Sequence, residues 1–179
     1  MAEKFHSEFV GAPILSESER ALVGAVADFI VNPSNGKIEG IAMDNGFKKV
    51  IPAIDILKLA MPVMISEMDA ICDADDIIKI KNILSENKKI IGNKVFTKSG
   101  IFVGRVYDYA INLGSTCMTK LAIAKSFLGL FHINEILLPS SEIIEITPEK
   151  IIINDILERK KAKSANITSI KEKAYCPAE

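Results

Sequence analysis

The sequence predicts a mainly β protein assembled from two tandem copies of one unit. Three observations carry this reading. Isoleucine is in excess, 29 of 179 residues, with no tryptophan and only 6% aromatics, and β-branched side chains favour a pleated, half-buried strand. The chain also repeats itself: Gly24 and Gly104, Asp28 and Asp108, and Asn32 and Asn112 are each separated by the same 80 positions, inside two matching apolar stretches. Within each copy the pattern is mostly of period two, as a strand requires.

Taken in order, Phe9-Val10-Gly11-Ala12-Pro13-Ile14 opens the first copy and Ile90-Ile91-Gly92-Asn93-Lys94-Val95 opens the second. The longer match follows, residues 22–32 against 102–112. In the second copy Val103, Tyr107, Tyr109, Ile111 and Leu113 share one face, and Gly104, Val106, Asp108 and Ala110 share the other. Taken alone, residues 17–30 also suit a helix. Ser16-x-x-Glu19 reads as a capping box, and Leu22, Val23, Val26, Phe29 and Ile30 sit at helical spacing. The second copy favours strand, because Gly100 and Gly104 disfavour a helix there. Turn chemistry comes next, in Asn32-Pro33-Ser34-Asn35-Gly36 and in Asn112-Leu113-Gly114-Ser115, and returning strands follow at 37–43 and 116–124. Pro52 and Pro139 then each end a strand and start a turn. Between the copies, residues 75–84 read as a short linker helix that opens on Asp75-Asp76 and is closed by Lys88-Lys89; a linker strand is the alternative. Residues 158–173 carry six Lys/Arg against two Glu and read as a flexible basic tail. The expected organisation is a divergent first unit over 1–73, a linker over 74–88, a second unit over 89–157 and the tail over 158–179.

Composition narrows the function. With 49% hydrophobic and 25% charged residues the chain can bury a core. A net charge of −1 argues against bulk electrostatic binding to polyanions, so no specific nucleic acid is expected. No apolar run approaches the roughly 18 residues of a membrane span, and residues 1–9 are too polar for a secretory leader. Three widely spaced cysteines, Cys72, Cys117 and Cys176, read as reduced thiols of a cytoplasmic protein. No dinucleotide fingerprint, P-loop, C-x-x-C, H-E-x-x-H or G-x-S-x-G occurs. The expectation is a binding module and not an enzyme, with no catalytic, cofactor-binding or metal residue to assign and no cofactor.

Asp28 and Asp108 suggest a paired-carboxylate site. Each belongs to its own copy, however, and neither has a histidine nearby in sequence, so a strand-end hydrogen bond to backbone amides is expected. Gly24 and Gly104 are read as strand bends, and Asn32 and Asn112 as turn residues. His132 has only Asn134 and Glu135 near it, too little for a metal. The candidate protein-interaction segment is 125–131, where Phe127, Leu128, Leu130 and Phe131 surround Gly129. An exposed tip would be an apolar docking patch; the alternative folds it under as core.

The residues Ile91-Gly92-Asn93-Lys94-Val95-Phe96 and Ser99-Gly100-Ile101-Phe102-Val103-Gly104-Arg105-Val106-Tyr107-Asp108, with Leu138-Pro139-Ser140-Ser141-Glu142-Ile143 and Lys150-Ile151-Ile152-Ile153, resemble a PRC-barrel domain, the family named after the cytoplasmic domain of the photosynthetic reaction-centre H subunit. The second copy, about 88–155, matches well. The first, about 7–73, departs from the pattern: Ala12-Pro13 stands where the family has its basic residue, and Arg20 stands at the place of Gly100. The resemblance implies two tandem, small, highly bent β-barrels acting as an interaction scaffold. In build the chain is most similar to archaeal cell-division proteins made of such barrels. That similarity implies a homo-oligomer or a paralogous barrel protein as partner, or SepF or FtsZ, in the cytoplasm at the division site. The alternative implied by the family is an RNA- or ribosome-associated maturation factor.

Overall fold

The computed structural model describes residues 2–127 and 131–155, without the side chains of 126–134. The chain begins with β1 (Glu3–Phe5) and one helical turn, α1 (His6–Phe9). The first copy supplies β2 (Pro13–Ser16), β3 (Ala21–Ala25), β4 (Asp28–Val31), β5 (Ile38–Ala42), β6 (Lys49–Pro52), β7 (Ile56–Lys58), β8 (Val63–Ile65) and the short β9 (Cys72–Asp73). A helix, α2 (Ile78–Ser85), stands between the copies. The second copy supplies β10 (Lys94–Thr97), β11 (Phe102–Asn112), β12 (Cys117–Phe127), β13 (Phe131–Pro139), β14 (Ile143–Ile146) and β15 (Lys150–Ile153).

The repeat seen in the sequence is a repeat of topology. The second copy runs β13-β12-β11-β10-β15-β14 in one sheet. The first copy follows the same order but breaks it into β6-β5-β4 and β3-β2-β8-β7, with β9 added beside β6. The break falls at Val26-Ala27, where β11 runs on without interruption. Among the described residues these sheets do not close into a ring. Registers agree in detail. Ile14 lies opposite Gly24 and Val63, as Val95 lies opposite Gly104 and Ile151. Pro52 and Pro139 each end a strand and lead into a short 3-10 turn, 53–55 and 140–142, because a ring nitrogen cannot extend the ladder.

Residues 17–30 contain no helix; they hold the turn into β3, then β3 and β4. Ser16 and Glu19 do bond each other, but they close the β2–β3 turn, where Glu19 also accepts from the Met68 N–H at 3.1 Å. Side-chain hydrogen bonds of this type stabilise turns as readily as helix starts. Arg20 adopts φ +53 in that turn, the left-handed conformation that Gly100 adopts at φ +87. An L-residue is strained there by about 1–2 kcal/mol, and part of the gain from relieving it is returned as unfolded-chain entropy. Arg20→Gly is therefore expected to raise stability by about 0.5 kcal/mol, read as a higher urea midpoint at unchanged slope. The mirror change, Gly100→Ala, is expected to lower stability by about 1 kcal/mol.

One hydrophobic core runs through both copies. Ile14, Phe29, Ile41, Ile51 and Val63 from the first meet Val95, Tyr109, Leu121, Leu138 and Ile151 from the second. These are equivalent positions of the repeat, so each unit completes its core with the same surface of the other. A smaller cluster under α2 joins Ile30, Val50, Ala74 and Ile80.

The cysteines differ from the sequence expectation. Cys72 is a free thiol, half-buried, and its pKa is pushed up by burial and then by Asp76. Cys117 is disulfide-bonded, which corrects the expectation of three reduced thiols. No helix among the described residues is long and apolar enough to cross a membrane.

Candidate functional site

The junction of the two copies is organised about a local two-fold axis. Lys37 forms an antiparallel bridge with Cys117, its own equivalent 80 positions on. The Ile38 N–H donates to the Thr116 carbonyl at 2.9 Å, and the Met118 N–H donates to the Gly36 carbonyl at 2.8 Å. The hairpin turns after Asn32 and Asn112 thus pair with each other. Each asparagine first shapes its own turn: Asn32 Oδ1 accepts from Ser34 N–H at 3.0 Å, and Asn112 Oδ1 accepts from Gly114 N–H at 2.9 Å and Ser115 N–H at 3.0 Å. The turn roles expected of both are observed.

Asp28 and Asp108 flank the same axis. Each carboxylate accepts the backbone N–H of the next residue, Phe29 at 2.7 Å and Tyr109 at 2.8 Å. A backbone hydrogen bond was expected of both. Their separation into independent copies was also expected, and the structure corrects it. The imidazole of His6 lies between them, its Nε2 2.8 Å from Asp28 Oδ1 and its Nδ1 4.0 Å from Asp108 Oδ1. Ser7 adds two bonds to Asp108, from its N–H at 3.3 Å and from its hydroxyl at 2.5 Å. His6 is remote from both acids in sequence. It arrives because β1 adds to β11, with Glu3 opposite Asn112 and Phe5 opposite Ala110, which leaves α1 lying across the axis. Lys120 Nζ anchors the start of this arm on Glu3 at 2.7 Å, holding the Glu3 carboxyl below its ordinary range.

Sequence reasoning attended to His132, whose side chain lies outside the described residues, and missed His6. The signal was weak: one of two histidines, three residues before Phe9, at which the recognisable repeat begins. The ring of His6 packs on Tyr109 with centroids 4.9 Å apart and meets the edge of Phe29 at 6.1 Å, so both copies contribute the equivalent aromatic residue to its seat. Tyr109 is buried, its hydroxyl has no hydrogen-bond partner among the described residues, and burial with the two nearby aspartates drives its pKa well above the usual phenol range. Chemically this is a clamp of polar contacts across the axis. The Ser7 hydroxyl donates to the Asp108 carboxylate. No group of three or more His, Cys, Asp or Glu among the described residues is placed to hold a metal.

A cavity of about 370 Å³ opens beside the clamp. Its floor is the whole of β4, with Tyr109; its walls come from Phe47, from Ile83 and Leu84 of α2, and from residues 87–91.

The two glycines lie inside β3 and β11, opposite Ile14 and Val95, in different surroundings. A Cβ on Gly104 would lie 2.6 Å from the Ala124 carbonyl oxygen, whereas one on Gly24 would meet only the end of the Met43 side chain. Of the candidate interaction segment, Leu128 and Leu130 lie outside the described residues, as does the tail 158–179. Phe127 and Phe131 are placed as backbone alone, opposite each other at the ends of β12 and β13.

Comparison with known proteins agrees with this duplicated architecture. A model of the PRC-barrel domain matches the chain twice, over residues 1–86 and over residues 82–160. No curated protein sequence matches the chain. The two matches cover both repeats of the fold, and the chain belongs to the PRC-barrel domain family.

Proposed function

We propose that the protein is a non-enzymatic adaptor that uses its two PRC-barrel units to assemble protein partners. PRC-barrel domains often mediate protein interactions. The observation that carries the proposal is a pair of equivalent sheet edges. β7 ends one sheet and β14 ends another, and each exposes an apolar residue at the same place in the repeat, Leu57 at 52% and Ile144 at 47%. An edge strand offers unpaired backbone groups to an added strand. Two such edges on one body, related by a local two-fold axis, suit a dimer or a linear assembly. The biological setting proposed is archaeal cell division, with FtsZ, SepF, a paralogous barrel protein or a second copy as partner. It rests on the build of the chain, two tandem PRC-barrel units.

Leu57→Asp combined with Ile144→Asp is the test. The doubly substituted chain is expected to lose self-association, and association with purified SepF or FtsZ, in sedimentation velocity. Its melting temperature is expected to stay within about 2 °C of the parent, since exposed sites rarely contribute to stability. Unchanged sedimentation would end the proposal.

A further inference from the structure

The two copies differ at the outer edge of their hairpins. In the first copy the edge of β6 is paired by β9, with Lys49 opposite Asp73 and Val50 opposite Cys72. The chain stays on that edge for one more bond, the Ala74 N–H donating to the Lys48 carbonyl at 2.9 Å. Lys49 turns its backbone the other way, its carbonyl accepting from the Met43 N–H at 2.9 Å. Backbone groups alternate sides along an antiparallel strand, so those of Val50 face β9. Lys49 Nζ meets the Asp73 carboxylate at 3.1 Å, and the Val50 side chain is wholly buried.

The equivalent strand in the second copy is β13. Val50 lies opposite Ala42 and Leu137 opposite Ala122, so Leu137 stands at the place of Val50. Among the described residues β13 pairs with β12 alone. Leu137 is 57% exposed, and Glu135, whose carboxylate accepts from the Tyr107 hydroxyl, is exposed beside it. An uncovered edge carrying an apolar residue invites an added segment.

The first copy shows which part of the chain supplies the cover. Val63 of β8 and Ile151 of β15 match in their ladders to β2 and β10. The match holds one step further: the Ser66 N–H donates to the Asp55 carbonyl at 3.1 Å, and the Asn154 N–H to the Glu142 carbonyl at 2.9 Å. Cys72 and Asp73 follow Ser66 by the same count at which Lys160 and Lys161 follow Asn154. Those two lysines lie outside the described residues, and the second match to the PRC-barrel model runs on to residue 160. The charges invert together. The first copy has Lys48 and Lys49 on the edge and Asp73 on the cover; the second has Glu135 and Ile136 on the edge and two lysines at the place of the cover.

We infer that the basic segment around Lys160-Lys161 docks on the outer edge of β13, in the place that β9 holds on β6. Its ammonium groups meet the Glu135 carboxylate, and its methylene stems lie over Leu137. β13 and β14 stand at opposite ends of the second sheet, so this docking leaves the β7 and β14 edges free for assembly.

Hydrogen exchange of the full-length protein, followed at single amides by NMR, tests the inference. The outward Leu137 N–H is expected to be protected together with amides of residues 159–162. Lys160→Glu combined with Lys161→Glu should speed exchange at Leu137 at least about fivefold, while the amides of β12 keep their rates. Glu135→Lys should do the same. Joining all three changes should restore protection, a result that loss of folding cannot mimic. A Leu137 amide that is unprotected in the parent chain, or whose exchange ignores both charge reversals, overturns the inference. Protection that rises with protein concentration overturns it as well, because a second copy then supplies the cover.

Discussion

Gly104→Ala is expected to lower stability by about 3 kcal/mol, while Gly24→Ala, its exact counterpart in the repeat, should cost under about 1 kcal/mol. The added methyl at 104 meets backbone at 2.6 Å, the Ala124 carbonyl oxygen, and also the Ile123 methyl at 2.9 Å. Those atoms belong to β12, which is paired with β11 on one side and β13 on the other, so the carbonyl cannot retreat without opening a ladder. At Gly24 the neighbour is the terminal methyl of Met43, an unbranched side chain that can rotate away. Urea unfolding of the two variants measures the difference. Equal costs would show that the glycines are needed for strand flexibility and not for the close approach at 104.

The second large effect concerns the clamp. Asp108→Ala is expected to cost about 3 kcal/mol, because it strips the acceptor from the buried Tyr109 N–H and removes both bonds that hold Ser7. The Tyr109 N–H and the N–H and hydroxyl of the exposed Ser7 all lose their partner, and the acid facing His6 Nδ1 disappears. Asp28→Ala should cost only about 1 kcal/mol, since 37% of the Asp28 side chain is exposed, against 10% for Asp108, and water replaces the lost acceptor. Hydrogen exchange separates a local from a global effect. In Asp108→Ala the amides of Glu3–Phe5 and of residues 110–112 should exchange faster than those of β12, as the arm leaves β11. Asp108→Asn, which keeps an acceptor for Tyr109 N–H, should recover part of the stability. Protection of β1 that is unchanged in Asp108→Ala would show that the arm is held by strand pairing alone.

Much of the architecture was legible in the residues. Position-for-position repetition of Gly24/Gly104, Asp28/Asp108 and Asn32/Asn112 located both units; the same spacing favoured strand for residues 17–30, but their own helical pattern left that choice to the structure, which forms β3 and β4 there. Local chemistry was readable where it acts locally, as with Asn32 and Asn112 bonding their own turns or Pro52 and Pro139 ending strands. Arg20 in a left-handed turn was foreshadowed by the glycine at its counterpart. What escaped was every relation across the local axis. The two aspartates, judged separate because each lies in its own copy, are joined by a histidine that neither has near it in sequence. Only the pairing of β1 with β11 brings that ring to them, and strand addition at an edge is specified by backbone groups that all residues share. The sequence by itself determined the family and the duplication, because these follow from motifs and turn residues repeated along the chain. The tertiary structure alone decided which faces meet and where His6 goes. Those outcomes depend on burial and on long-range pairing between segments whose local patterns are nearly alike.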